Sequence, residues 1–341
     1  MRCPKCGTDC PDDYNFCELD GTALKAVVAP IVRARIGASC RCGAPISSPE
    51  QDGFCSLCGE LWEFRNHQVF DMGTEFGAVS DRGAHHPRNE DSVKLSSEQF
   101  KDCTYHILVV CDGLSSAQRS SEASLCAASA AQALLSEHVR NGMLSDKQSA
   151  MHDAIIAAHT AVCSLEYDKQ GQKDPPGTTI VAALLEGNSA TIGWVGDSRA
   201  YLLLRESSTL ITHDHSWINE AVESGEMAES EAMSSEKAHL ITHCIGPVET
   251  TTSGTAPEPS VVSVELPPHS WLLLCSDGLW NYAPSQAEFD TVINSAPADA
   301  NAIGLASHLV AFAIAAGGRD NITVALSQPI SATESRNGIQ G

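Results

Sequence analysis

Thr178-Thr-Ile-Val-Ala-Ala-Leu-Leu185, Ala190-Thr-Ile-Gly-Trp-Val195 and Ala200-Tyr-Leu-Leu-Leu204 follow one another with little between them. Gly187-Asn188 separates the first two runs, and Gly196-Asp197-Ser198-Arg199 the last two. Short apolar runs broken by Gly and Asn read as strands, and the two flanking Gly187-Asn188 read as a hairpin. Working outward, His106-Ile-Leu-Val-Val-Cys111 and Trp271-Leu-Leu-Leu-Cys275 are apolar without a break. Such runs belong to strands covered on both faces. Asn321-Ile-Thr-Val-Ala-Leu326 is a further strand.

Helical patterns surround these strands. One helix is expected over roughly 120–139. A second carries Met151, Ile155, Ala158, Val162 and Leu165 at four-three-four-three spacing, a single apolar stripe suited to core packing. An Ala-rich helix is expected over 300–316, ahead of Gly317-Gly318. Clustered strands, an inserted helix pair, more strands and a late helix predict an α+β fold. Its form is a two-sheet β-sandwich flanked by helix pairs, layered α-β-β-α, over residues 69–328. Residues 249–260 read as a loop and 329–341 as a flexible tail.

The N-terminus differs in kind. Eight of the 14 cysteines lie within residues 3–58, and the other six stand singly among apolar residues. Cys40-x-Cys42-Gly43 and Cys55-x-x-Cys58-Gly59 have the form of two thiolate knuckles closing a tetrahedral structural zinc. Cys3-x-x-Cys6-Gly7 and Cys17 outline an irregular second site, whose fourth ligand is Cys10 or Asp20. The expectation is zinc ribbons at 1–24 and 40–60, a linker at 25–39, and one or two structural zinc ions. Cysteines at metal-ligand spacing, rather than in a disulfide framework, fit a reducing compartment. No signal peptide or apolar run of about 20 residues is evident. A cytoplasmic protein is therefore expected.

The formal charge of −22 argues against nucleic acid or an anionic membrane as a partner. Beyond residue 60 the chain has 15 Lys/Arg against 35 Asp/Glu. Some of these acids are patterned. Asn89-Glu90-Asp91, Asp112-Gly113, Asp197, Ser276-Asp277-Gly278 and Asp320-Asn321 stand at strand ends. Carboxylates far apart in sequence but at strand ends can converge, and their oxygens suit magnesium or manganese.

Taken with Gly177-Thr178-Thr179, Asp214-His215-Ser216 and Leu279-Trp280, the order of these motifs resembles the metal-dependent, type 2C protein phosphatases. The resemblance implies hydrolysis of phosphoserine and phosphothreonine in proteins, with two or three Mn2+ or Mg2+ ions activating water and no covalent phosphoenzyme. It implies a metal-ligand set of Asp112, the Gly113 carbonyl, Asp277 and Asp320, with Asp197 on a third, weaker ion. Glu90 and Asp91 would act with Asp112 in catalysis, holding metal-bound waters or binding the metals directly, and Asn321 would orient the neighbouring carboxylate. The chain has no C-x5-R loop, so a cysteine nucleophile finds no support, and Cys111 reads as a buried strand residue.

Some positions depart from the family pattern. Many relatives carry an arginine three residues before the Asn of the Asn-Glu-Asp motif, where it grips substrate phosphate. That place is His86 here, with Arg88 two residues on. His86 and Arg88 are the expected phosphate contacts; Arg82 or a heavier reliance on the metals are the alternatives. Leu114 and Asn281 replace a histidine and an aspartate seen in relatives. Residues 215–239 would form a flap whose root is held by His213 and His215. A phosphoprotein substrate is expected, with a Ser/Thr kinase or its targets as partners and the ribbons as docking modules. A non-catalytic phospho-dependent adaptor and a zinc-ribbon nucleic-acid binder are the competing readings.

Overall fold

The computed structural model describes residues 67–330, apart from 206, 233, 234, 236, 238, 239 and 248–256. The expected zinc ribbons and their linker, and most of the 249–260 loop and the tail, lie outside the described residues.

One six-stranded sheet has the order β1-β2-β11-β10-β7-β8. Its strands are β1 (His67–Asp71), β2 (Phe76–Asp81), β7 (Arg199–Leu203), β8 (Ser208–Leu210), β10 (Trp271–Cys275) and β11 (Ile322–Ser327). A five-stranded sheet has the order β3-β4-β5-β6-β9. It consists of β3 (Ser92–Phe100), β4 (Cys103–Cys111), β5 (Ile180–Glu186), β6 (Ser189–Val195) and β9 (Ser260–Glu265). Helices α1 (Ser120–Arg140) and α2 (Lys147–Cys163) pack on the five-stranded sheet. Helices α5 (Asp277–Trp280), α6 (Gln286–Asn294) and α7 (Ala302–Ala316) pack on the other. Two short helices, α3 (Trp217–Glu223) and α4 (Glu229–Ala232), lie in the segment read as a flap.

The unbroken apolar runs are explained by the layers. Side chains alternate along a strand, so a strand with a helix on one side and a sheet on the other needs apolar residues at every position. In β4, Ile107, Val109 and Cys111 face α1 and α2, while Leu108 and Val110 face the opposing sheet. β5 divides likewise, with Ile180, Ala182 and Leu184 outward and Val181, Ala183 and Leu185 between the sheets. In β10, Leu273 and Cys275 meet the α7 side, and Leu272 and Leu274 the sandwich interior. The stripe on α2 packs as expected, with Met151, Ile155, Ala158 and Val162 buried and Leu165 partly buried against them.

Antiparallel register then gathers particular chain ends. Ser92 pairs with Cys111, bringing Asp91 beside Asp112. Cys275 pairs with Val324, so Asp277 after β10 and Asp320 before β11 emerge at one end. Ile180 pairs with Val195, placing Thr179 beside Gly196-Asp197.

Candidate active site

Asp112 sits at the centre of this sheet end. Its backbone is clamped by the Gly-Thr-Thr motif. Thr179 N donates to Asp112 O at 2.8 Å, Thr178 Oγ1 donates to the same oxygen at 2.7 Å, and Asp112 N donates to Thr179 Oγ1 at 3.1 Å. Gly113 follows because nothing larger fits: an added Cβ would lie 2.6 Å from Ser120 O and 2.8 Å from Glu90 O. Gly278 is tighter still, its Cβ position falling 1.9 Å from Asn321 O. The two motifs Ser276-Asp277-Gly278 and Asp320-Asn321 are therefore in backbone contact.

Asn321 is the knot of the Asn89-Glu90-Asp91 loop. Its Oδ1 accepts from Glu90 N at 2.7 Å, and its Nδ2 donates to Arg82 O at 2.7 Å and Arg88 O at 3.0 Å. Its own N–H donates to Asp320 Oδ1 at 2.8 Å. Behind it lies a buried polar layer in which Ser80 and Thr323, outside the motifs, join Ser276 and Asn89. Ser276 Oγ donates to Asp91 Oδ2 at 2.7 Å and accepts from Thr323 N at 3.0 Å. Asn89 Nδ2 donates to Ser80 Oγ at 2.8 Å, and Ser80 pairs with Thr323 at 2.8 Å. Hydroxyls at inward positions of otherwise apolar strands are the signal that betrays this layer.

Asp91 is buried outright, whereas Asp112, Asp197, Asp277 and Asp320 keep part of their surface at the cleft floor. Burial, reinforced by Asp91, Asp277, Asp320 and Asp197, pushes the Asp112 carboxyl far above the usual range. Burial likewise raises Asp91 to about 7 and Asp277 to about 6, and raises Asp197 well above its ordinary value. Glu90 is raised by burial against the opposing pull of Ser115, His86 and Lys173. Glu90, Asp91, Asp112, Asp197 and Asp277 are thus held where ionisation is costly.

That cost is the test of whether cations fit. Asp91 Oδ1 and Asp277 Oδ1 are buried with no hydrogen-bond partner, and the Asp277 carboxyl lies within reach of that of Asp112. Two carboxylates so placed repel unless a proton or a cation lies between them. Among the described residues, no three His, Cys, Asp or Glu side chains are drawn tightly enough around one point to ligate an ion as they stand. A hard cation that keeps several of its waters needs only a loose set of oxygen donors. The donor set fits magnesium or manganese.

The remaining predicted residues take definite places. His86 Nε2 lies 3.3 Å from Asp320 Oδ1, and its carbonyl accepts from Arg82 Nη1 at 2.7 Å. Arg88 lines an adjoining cavity together with Glu90. Asn281 Nδ2 donates to Asp277 Oδ2 at 3.1 Å. Cys111 is fully buried, its thiol pushed up by burial and by Asp91 and Asp112, which suits a strand residue and not a nucleophile. His215 accepts from Gly196 N at 3.2 Å and pairs with Ser260 Oγ at 3.0 Å, while His213 meets Glu223 at 2.6 Å. Both histidines hold the root of the 215–239 segment. Arg199 binds Asp214 with contacts of 2.6 to 3.1 Å and stacks 3.6 Å from the Trp280 ring centre. Trp280 Nε1 in turn donates to Asp197 O at 3.0 Å, fastening the Gly-Asp-Ser-Arg turn to α5.

Comparison with known proteins gives a consistent set of similarities. The sequence profile of protein phosphatase 2C matches residues 82–312. The serine/threonine phosphatase stp of Listeria innocua is 28% identical over 263 residues, covering 75% of this chain and 95% of that protein. The serine/threonine protein phosphatase PstP of Mycobacterium tuberculosis is 31% identical over 255 residues, covering 75% of this chain and 45% of that longer protein. Among solved structures, the S. agalactiae serine/threonine phosphatase superposes with a TM-score of 0.60 at 26% identity, covering 75% of this chain and 99% of the other. The catalytic domain of PstP in complex with two manganese ions gives 0.56 at 28% identity, covering 74% and 96%.

Proposed function

The chain belongs to the protein phosphatase 2C family and is a serine/threonine phosphatase, and from that premise we propose that it works by metal-activated water at a centre built on Asp112. The observation that carries this reading is the convergence of Asp91, Asp112, Asp197, Asp277 and Asp320 at one end of the sandwich, each close enough to disturb another. Asp112, the Gly113 carbonyl, Asp277 and Asp320 would hold two ions of the manganese or magnesium type, and Asp197 a third. When bound, such cations lower the pKa of water and offset charge on the phosphoryl oxygens.

The chain's own residues do the rest. Glu90, whose carboxyl is raised by burial, takes the proton of the attacking water. Asp91, buried and fixed by Ser276, would reach a metal or its water through the unpaired Oδ1. Arg88 and His86 face the substrate phosphate, Arg88 supplying a permanent charge. Thr178 and Thr179 keep Asp112 from drifting, and Asn321 keeps the loop bearing Glu90 against β11. The substrate class is the phosphoserine or phosphothreonine of a protein, whether a kinase or a kinase target.

The test is hydrolysis of p-nitrophenyl phosphate and of a phosphothreonine peptide, with manganese, with chelator and with Asp112→Asn. Turnover that needs manganese and vanishes in Asp112→Asn is expected. A folded, manganese-loaded protein inactive on both substrates would sink the reading and favour the adaptor.

For residues 1–66 the cysteine spacing supports one or two structural zinc ions and a docking role in a reducing, cytoplasmic setting. Elemental analysis of the purified chain checks this directly. Zinc at or above one equivalent is expected, and none would remove the ribbons from the account.

A further inference from the structure

A polar cavity adjoins the carboxylate cluster through Glu90. It has a volume of about 260 Å³, opens to solvent, and is lined by Arg88, Glu90, Arg119, Ser121, Glu122 and Lys173 among others. Glu90 is the shared wall. The segment after Asp112-Gly113 forms another part, since Gly113 packs against Ser120 O and Ser120 Oγ donates to Leu114 O at 2.7 Å.

The walls are built, not incidental. Gln118 ties the 166–174 segment to the loop ahead of α1: its Nε2 donates to Asp168 O at 2.9 Å and Lys173 O at 3.1 Å, and its Oε1 accepts from Asp168 N at 3.0 Å. Gln118 N donates to Asp174 O at 2.8 Å. Arg119 Nη1 donates to Glu166 O at 2.6 Å, and Arg119 Nε donates to Glu122 Oε1 at 3.0 Å. Three cationic side chains thus face one space with two carboxylates, one of them already paired with Arg119. This stands out in a chain whose residues beyond 60 carry 15 basic against 35 acidic side chains. Lys173 is also close enough to Glu90 to oppose its raised pKa.

Size narrows the ligand. Pockets for drug-sized molecules run to roughly 300–1,000 Å³, so this cavity suits one anionic side chain reaching in from a peptide seated on the cleft. Resting on the phosphatase reading above, we propose that the Arg119–Lys173 side of this cavity, with Arg88 left to the phosphate being hydrolysed, is a specificity subsite that takes an acidic or phosphorylated residue flanking that phosphoresidue. Charge-assisted hydrogen bonds from Lys and Arg supply the recognition, and the closed Gln118 brace means little ordering is needed on binding.

The experiment compares kcat/KM on p-nitrophenyl phosphate and on phosphothreonine peptides carrying aspartate, phosphoserine or alanine at flanking positions, for the natural chain, Lys173→Gln and Lys173→Glu. Lys173 is exposed on a loop, and melting curves check that both variants fold. The natural chain should favour an acidic flank by about 5- to 10-fold, a gain of the order that one charge-assisted contact gives. Lys173→Gln should reduce this preference and Lys173→Glu abolish it, mostly through KM, with p-nitrophenyl phosphate turnover within about twofold of the natural chain. Equal kcat/KM for acidic and neutral flanks, or a preference untouched in Lys173→Glu, would overturn the proposal. A matching fall on p-nitrophenyl phosphate would overturn it too, by making Lys173 act on Glu90 or on the scissile phosphate rather than on the flanking residue. Loss of all turnover in the natural chain would instead strike the phosphatase reading, and peptide affinity by fluorescence anisotropy, with the same Lys173 variants, would still decide the subsite.

Discussion

Asp112 is stabilised as a position and destabilised as a charge. Its backbone is held by three hydrogen bonds to Thr178 and Thr179, while burial and four neighbouring carboxyls oppose its ionisation. Function has been placed at a spot that the fold alone would not choose. Asp112→Asn should therefore raise the melting temperature of the metal-free protein while abolishing the rise caused by manganese. In the natural chain, manganese at about a hundred times its dissociation constant should add about 2.7 kcal/mol, or about 5–10 °C. Calorimetry of both proteins with and without the ion checks the pair. A destabilised Asp112→Asn would show that its carboxyl makes a structural contact outweighing the repulsion.

At the scale of elements, the site is a product of turns lying at one end of antiparallel strands. β10 leaves the sheet into α5 just as β11 enters it, and Gly278 lets the two meet without a side chain between them. Gly278→Ala places a Cβ 1.9 Å from Asn321 O, so α5 must shift away from β11 and part Asp277 from Asp320. The overpacking should cost about 1–3 kcal/mol, and manganese affinity should fall by more than about tenfold. Titration calorimetry and far-ultraviolet circular dichroism together separate lost ligation from lost fold. Undiminished affinity would show that the two motifs tolerate separation.

For the molecule as a whole, opposed titrations set the pH dependence of stability. Asp91, Asp112, Asp197 and Asp277 have folded pKa values raised above those of an unfolded chain. Their contribution is present below about pH 4 and is lost as pH rises through 6 to 7 and beyond. His106, stacked on Phe76, and His215 are pushed down to about 4, chiefly by burial. Their contribution is present above about 6.5 and is lost as pH falls toward 4. In chelator, the melting temperature should rise as pH falls from 8 toward about 4, because four carboxyls outweigh two histidines, which only make the rise shallower below about 6.5. Manganese should remove that rise and leave the histidines to lower the melting temperature as pH falls from about 6.5 toward 4, and a pH series of melts with and without the ion reads both. A rise equally steep with manganese would mean that the carboxyls are not its ligands. Among the described residues, no helix is long and apolar enough to cross a membrane.

Much of this was legible before any coordinates. Unbroken apolar runs announce strands covered on both faces, because a strand with one wet face alternates; β4, β5, β6 and β10 were readable for that reason. The α2 stripe was readable because helical periodicity is local. β1 and β3, at the sheet edges, alternate weakly and carry polar side chains, so nothing local marked them. The acidic motifs could be seen at strand ends, and their order suggested a family. Composition, periodicity and motif order are properties of neighbours along the chain, and they determined the layers, the domain that carries the chemistry and the residues worth watching. Contacts between residues tens to hundreds of positions apart are not. That Asn321 fastens Glu90, that Ser276 holds Asp91, that His86 lies against Asp320, and that Lys173 and Arg119 share a cavity with Glu90 depended on strand register and on which loops the antiparallel sheets bring to the same end. Only the folded packing of both sheets could decide them.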